Sequence, residues 1–237
     1  MDKTTEAWLQ SIAEKIPRAY ANGVEEGKRA EHEDFWNNHM GGNMYYMHGR
    51  YAGMGWNKKT FRPTEDLDFT GANCQYCFYY NGCRVDLVEW CKQLGINIIV
   101  KPSFANYMFA NSQFTRLPVL DFSELSALSN TLTNCSYLVT VDLFKIRHDG
   151  NTDLSNAFNG CTALENILFE GIISKTANFK DCHKLTKASI ESIMNHLSTT
   201  ATFTVTLSQT AVNNAFATEE WQAIINAKPT NVTISLV

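Results

Sequence analysis

Between residues 73 and 200 the sequence resembles itself at intervals, and this self-similarity constrains the fold more than any other feature. Each unit has an aromatic residue or Leu, then two small or polar residues, then Cys or a small polar residue. A unit this short cannot bury a core alone, so successive units have to stack. Three units also continue with a leucine at the same offset: Cys135-Ser136-Tyr137-Leu138, Cys161-Thr162-Ala163-Leu164 and Cys182-His183-Lys184-Leu185.

Short alternating segments within this region predict strands. They are Leu120–Phe122, Val141–Leu143 and Ile167–Phe169. Their starts lie 21 and 26 residues apart, within the range of about 20 to 29 residues that leucine-rich repeats show. Alternation places the first and last residue of each segment in the core, and the middle residues, Asp121, Asp142 and Leu168, outward.

The unit pattern Phe-x-x-Cys-x-x-Leu-x-x-Val-x-Leu resembles the BspA-like leucine-rich repeat family over residues 73–200. Over nearly the whole chain, the sequence is similar to leucine-rich repeat proteins encoded by bacteriophages and prophages of gut Firmicutes. This resemblance implies a phage-encoded, tail-associated or surface-binding protein with no chemistry of its own. The segments that carry it are Ala19–Gly23, Glu31–Trp36, Tyr51–Trp56, Thr60–Pro63, Lys184–Thr186, Thr204–Leu207 and Ala211–Phe216.

We therefore expect an α/β fold in which a BspA-like leucine-rich repeat solenoid of about four to five turns carries a cap at each end. Residues 1–38 form amphipathic helices for attachment or oligomerisation, and residues 39–72 form an aromatic, glycine-rich, loop-rich cap. The solenoid occupies residues 73–200. Residues 201–237 form a mixed C-terminal cap.

The C-terminal part of the chain shows a regular alternation of helical and strand patterns. We expect a helix over Ala188–Leu197, a strand over Phe203–Leu207, helical structure over Thr210–Ala227 and a final strand over Val232–Leu236. Such an alternation would cover the open end of stacked repeats, which need a polar-faced cap to stay soluble.

The N-terminal residues Trp8, Leu9, Ile12 and Ile16 recur at three- and four-residue spacing, which predicts one apolar face of a helix. The pattern leaves open whether this face packs on its own domain or docks on another subunit or protein. A homo-oligomer joined through these residues is therefore one expectation.

Composition excludes several function classes. The chain has 237 residues and a net charge of -4, and its 20 Lys and Arg residues are scattered, which argues against nucleic-acid binding. No window approaches about 18 consecutive apolar residues, and the start lacks the basic and apolar regions of a signal peptide. We expect no membrane insertion. We expect the protein to be assembled in a bacterial cytoplasm, where its seven cysteines, an odd number, stay reduced.

The sequence offers little chemistry. Cys74, Cys77, Cys83 and Cys91 form the only metal-like cluster, but their spacing fits buried core cysteines better than the paired knuckles of a zinc site. Asp121 and Asp142, expected on adjacent strands, form either a carboxylate pair or, the favoured interpretation, a solvated sheet face. We predict no catalytic residue, metal or cofactor, and a metal-dependent enzyme is the least favoured alternative.

The predicted function is binding by the outward strand face in a virion. The partners are virion or tail proteins, or a host cell-surface protein or glycan. The alternative is a structural protein that decorates or helps assemble the virion without recognising a ligand. The predicted contact residues are Asp121, Thr140, Asp142, Phe144, Asn166, Leu168 and Glu170.

Overall fold

A computed structural model describes residues 66–80, 84–93 and 95–237. The predicted helices of residues 1–38, with the contact residues Trp8, Leu9, Ile12 and Ile16, lie outside the described residues, as does most of the 39–72 segment. The elements are β1 Leu67–Asp68, α1 Leu87–Gln93, β2 Ile98–Ile99, β3 Arg116–Asp121, β4 Thr140–Lys145, β5 Asn166–Glu170, β6 Ala177–Phe179, α2 Lys187–Asn195, β7 Phe203–Leu207, α3 Gln209–Ala215, α4 Thr218–Ala227 and β8 Val232–Leu236.

The strands form three small parallel sheets, ordered β1-β2, β3-β4-β5 and β6-β7-β8. The chain is therefore mixed α/β, and the prediction of a leucine-rich repeat solenoid is wrong. The finding that overturns it is the division of the strands into separate sheets of two, three and three strands.

Helix α2 supplies a physical reason why the central sheet ends at β5. The backbone N–H groups of Ile167 and Phe169 donate to the hydroxyls of Ser189 and Ser192, both at 2.9 Å. Two serine hydroxyls of α2 thus accept the hydrogen bonds that the backbone carbonyls of a further strand would otherwise accept from β5. The sequence repeats do not reveal that a helix, rather than a further strand, lies at this edge of the sheet.

The register of the central sheet also differs from the prediction. Arg116 pairs with Thr140, and Thr140 pairs with Asn166, so the first spacing is three residues longer than expected. An irregularity in β4 lies between Val141 and Phe144. As a result Phe144, predicted to face outward, is completely buried, and its ring centroid lies 5.4 Å from that of Phe122.

Aromatic side chains fill the core beside the strands. Phe78 stacks on Phe109 with ring centroids 4.9 Å apart, and Phe158 stacks on Phe179 at 4.7 Å. All four are buried. Full burial of one such side chain stabilises the folded state by about 1.5–3 kcal/mol, so these stacked pairs are a main source of stability.

The cysteines of successive units also stack in the core. The thiols of Cys135 and Cys161 donate to the backbone carbonyls of Phe109 and Leu132, at 3.0 and 3.1 Å. Each bond joins one unit to the unit before it in the chain. A small, apolar residue with one weak donor suits this position, which explains why Cys recurs there.

The C-terminal elements follow the prediction closely. Strands β7 and β8 have the predicted bounds, and α2 covers most of the helix expected over 188–197. The helical region expected over 210–227 is divided in two, because Phe216 adopts an extended conformation between α3 and α4 and is buried. None of the helices in the described part of the chain has the length and apolar character needed to cross a bilayer.

Candidate functional site

One face of the β3-β4-β5 sheet is covered by core side chains and the other carries side chains that reach solvent. The buried side includes Leu117, Leu120, Val141, Ile167 and Phe169. We call the other side the open face and define it by Arg116, Val119, Asp121, Thr140, Asp142, Leu143, Lys145, Asn166, Leu168 and Glu170.

An apolar row crosses the open face and continues onto β2. Val119 pairs with Leu143, and the bridge between Val100 and Leu120 places Ile99 beside Val119. Leu168 lies on the third strand of the same sheet. The exposed fractions of Ile99, Val119 and Leu168 are 47%, 41% and 48%. We define these three residues and the half-buried Leu143 as the apolar row.

A charged row runs parallel to the apolar row, two residues further along each strand. Lys101 Nζ lies 3.7 Å from Asp121 Oδ2, and Lys145 Nζ lies 3.1 Å from Glu170 Oε2. Asp121 and Lys145 are register partners on adjacent strands. We define these four residues as the charged row. Lysine and carboxylate side chains alternate along the charged row, so each charge has an opposite neighbour and the row has little net charge.

Asp121 is held in its ionised form within the charged row. Partial burial raises the pKa of Asp121, but hydrogen bonds from the Ser123 hydroxyl and N–H, with Lys101 and Lys145 nearby, outweigh burial and lower the pKa overall. The Ser123 hydroxyl donates at 2.6 Å and the N–H at 3.1 Å. This carboxylate is a structural ion-pair partner and is poorly suited to general-acid chemistry.

The carboxylate pair of Asp121 and Asp142 is not formed. Arg116 Nε donates to Asp142 Oδ1 at 2.7 Å, whereas the ion-pair partner of Asp121 is Lys101, whose Nζ lies 3.7 Å from Asp121 Oδ2. The hydrogen bond to Asp142 raises the pKa of Arg116. Each carboxylate is thus neutralised by its own cation, and the two do not form a cation site. Asp121 and Asp142 are not opposite each other because the register between β3 and β4 differs by three residues from the expected one.

A shallow depression of about 360 Å³ lies at the C-terminal ends of β3, β4 and β5. Three of its carboxylates, those of Asp121, Asp149 and Glu170, are paired with cations. The pKa of Asp149 is well below its usual range because the Arg147 guanidinium donates to it. In the described ranges there is no group of three His, Cys, Asp or Glu side chains placed to hold a metal ion. The depression therefore offers polar and charged contacts.

The cysteine cluster is part of the core. Cys74, Cys77 and Cys91 are buried, and Cys83 lies outside the described residues. Burial raises the pKa of the Cys91 thiol to about 12. A thiol with so high a pKa is a poor metal ligand and a poor nucleophile at neutral pH, because both roles need the thiolate.

Six of the seven predicted contact residues lie on the open face, and Phe144 does not. The prediction missed four residues of the open face: Arg116, Val119, Leu143 and Lys145. Alternation within single segments could not reveal them, since their placement depends on the pairing between strands. No family model, curated protein or solved structure matches the chain. The geometry and the residue resemblance are therefore the grounds for assigning a function.

Proposed function

We propose that this protein is a non-enzymatic binding module whose open face holds a protein partner. In this proposal it is a tail-associated or surface-exposed protein of a bacteriophage, and the partner is a protein on the host cell surface. The resemblance to phage-encoded proteins of gut Firmicutes supports the virion location. The single observation that carries the binding role is the exposed apolar row.

The apolar row is arranged as an interface would be. Strands in a sheet are about 4.8 Å apart, so four adjacent side chains form a strip roughly 15 Å long. Isolated exposed apolar residues are ordinary, but a contiguous strip bordered by polar groups is typical of protein contact surfaces. The charged row on one side and the Arg116–Asp142 pair on the other provide that polar border.

Side-chain chemistry favours a protein over a glycan at this face. None of the residues that define the open face is aromatic, and the row consists of Ile, Val and Leu. Aliphatic side chains recognise apolar side chains of a partner by burial, whereas sugar rings are held best by flat aromatic surfaces and dense hydrogen bonding. The paired charges around the row then restrict which partner surfaces fit.

The test is binding of the fluorescently labelled full chain to cells of a panel of gut Firmicutes, measured by flow cytometry. We expect Leu168→Asp to weaken binding at least about tenfold, because an anion would be desolvated at the centre of the contact. Ile172→Asp is the matched control, since Ile172 is also an exposed aliphatic residue but lies beyond β5 and outside the apolar row.

Treatment of the cells separates the partner classes. Protease treatment should abolish binding, and periodate oxidation of surface sugars should leave it intact. If Leu168→Asp binds as well as the unsubstituted chain, the open face is not the binding surface. If the chain binds none of the cells yet occurs in fixed copy number in purified virions, the proposal fails in favour of a structural decoration protein.

A further inference from the structure

Four tyrosines, none of them a residue of the open face, cluster in the first two described units. Tyr76 stacks on Tyr107 with ring centroids 5.1 Å apart and planes inclined by 14°. Tyr79 meets the Tyr76 ring edge-on at 5.2 Å, and Tyr80 meets the Tyr79 ring edge-on at 4.5 Å. Tyr80 is 56% exposed. We call Tyr76, Tyr79, Tyr80 and Tyr107 the tyrosine cluster.

Three members of the tyrosine cluster adopt left-handed backbone conformations. The φ angles of Tyr76, Tyr80 and Tyr107 are 61°, 54° and 56°. This region is unfavourable for residues with a bulky side chain and is occupied mainly by Gly, Asn and Asp. Strained backbone of this kind persists where the surrounding structure enforces it, and it is often found at functional sites.

Corresponding positions in later units show that the backbone does not require tyrosine. The N–H groups of Tyr80, Asn111 and Asn134 donate to the carbonyls of Ala110, Thr133 and Asn159 respectively. Tyr80, Asn111, Asn134 and Gly160 therefore occupy the same place in successive units. Asn111, Asn134 and Gly160 have φ angles of 60°, 59° and 71°.

The same comparison applies to Tyr107, whose counterpart in the next unit is Asn130, with a φ angle of 61°. Tyrosine thus occupies both left-handed positions in the first described unit and one in the second, while Asn or Gly occupies the corresponding positions elsewhere. Stacking between the rings offsets part of the strain. It does not explain why Tyr80, a residue that is 56% exposed, is a tyrosine.

We propose that the tyrosine cluster is a binding site for a neutral, pyranose-containing glycan. The electron-rich face of an aromatic ring attracts the weakly positive C–H groups on one side of a pyranose ring. Side-chain amides lie in the adjoining units, where Asn134 Nδ2 donates to Asn111 Oδ1 at 3.2 Å. Such amides both donate to and accept from sugar hydroxyls.

The neutral character of the ligand follows from the side chains that form the site. Each member of the tyrosine cluster is uncharged, and so are the neighbouring Asn111 and Asn134. A charged sugar or a phosphate would lack a counter-ion among these groups. The site uses none of the residues of the open face, so it does not depend on the function proposed for that face.

The test uses the full chain and three soluble oligosaccharides as probes: maltoheptaose, cellopentaose and chitotetraose. Saturation-transfer NMR detects contact, and calorimetric titration gives the dissociation constant. We expect at least one probe to bind. Tyr80→Asn and Tyr107→Asn should each raise its dissociation constant at least about tenfold. Both variants should melt at the same or a higher temperature, since Asn suits the left-handed conformation better.

Tyr137→Asn is the matched control, because Tyr137 is also exposed but lies outside the tyrosine cluster. It should leave glycan binding unchanged. Two outcomes would overturn the proposal: no saturation transfer to any probe at about 10 mM, or unchanged binding by Tyr80→Asn and Tyr107→Asn. Cell binding by the Leu168→Asp variant is measured separately, so failure at the open face and failure at the tyrosine cluster are distinguishable.

Discussion

Gly171, directly after β5, has a φ angle of 112°, which side chains rarely permit. A Cβ atom at this position would lie 2.2 Å from the backbone carbonyl oxygen of Ile146. Ile146 directly follows β4, so its carbonyl is part of the backbone and cannot move aside as the end of a flexible side chain could. Both the conformation and the contact therefore require glycine.

We predict that Gly171→Ala lowers the free energy of unfolding by about 3 kcal/mol or more, measured by urea denaturation. Gly71→Ala is the control, because Gly71 also has a positive φ angle, 67°, but nothing lies within 4 Å of the added Cβ. It should cost about 1 kcal/mol. Equal losses in the two variants would show that the contact with Ile146 is unimportant.

Sequence reasoning at the residue scale worked best where one residue type has one physical role. It placed the recurrent cysteines in the core, and Cys74, Cys77, Cys91, Cys135 and Cys161 are all buried. It failed for Phe144, because the side a strand residue faces depends on pairing with neighbouring strands. A large aromatic side chain is stabilised more by burial than by exposure, and the irregularity in β4 permits that burial.

At the scale of elements, the contact between β5 and α2 is unusual because helix side chains, rather than another strand, accept hydrogen bonds from a strand backbone. Ser189 is almost completely buried. Its hydroxyl accepts a hydrogen bond from the Ile167 N–H and lies 2.9 Å from the carbonyl oxygen of Glu165, to which it donates. One side chain thus satisfies two backbone groups that a further strand would normally satisfy.

Ser189→Ala should lower the free energy of unfolding by about 1–3 kcal/mol, because the buried N–H of Ile167 loses its acceptor. Chemical denaturation measures this loss, and the exposed Ser136→Ala is the control, expected to change stability by less than about 0.5 kcal/mol. A Ser189 variant as stable as the control would mean that β5 finds another acceptor and that α2 does not terminate the sheet as described.

Local patterns predicted β7, β8 and α2 well because each element has a clear period. The break between α3 and α4 was missed because Phe216 fits a helical apolar pattern, yet its burial requires an extended backbone. The three-residue error in β3 has a similar origin. Alternation identifies a strand, but the lengths of the connections set its register.

At the scale of the whole molecule, the sequence repeats marked the units that stack but did not determine how far one sheet continues. Sheet continuity depends on which element occupies each edge, and α2, whose bonded residues lie 22 and 23 positions further along the chain, packs against β5 where another strand was expected. Most of the open face was nevertheless found from sequence, because alternation within each strand decides which of its side chains share a face, and Phe144 fails at the irregularity in β4.

The distribution of burial predicts where the molecule opens first. Helix α4 contains no buried residue, although Trp221 packs beside Phe216 with ring centroids 5.5 Å apart. Its link to α2 is an exposed ion pair between Lys187 and Glu220. Exposed ion pairs contribute about 0–1 kcal/mol. The central sheet, in contrast, is packed on a continuous aromatic core.

We therefore expect hydrogen–deuterium exchange, followed by mass spectrometry, to be much faster in α4 than in β3, β4 and β5. Exchange in α4 should proceed by local opening and respond weakly to low denaturant, whereas exchange in the central sheet should require global unfolding. Lys187→Ala should accelerate exchange in α4 and leave β4 unchanged. Equal protection of α4 and β4 would contradict this order of stability. A rigid central sheet favours binding at the open face, because a preorganised surface loses less conformational entropy when a partner docks.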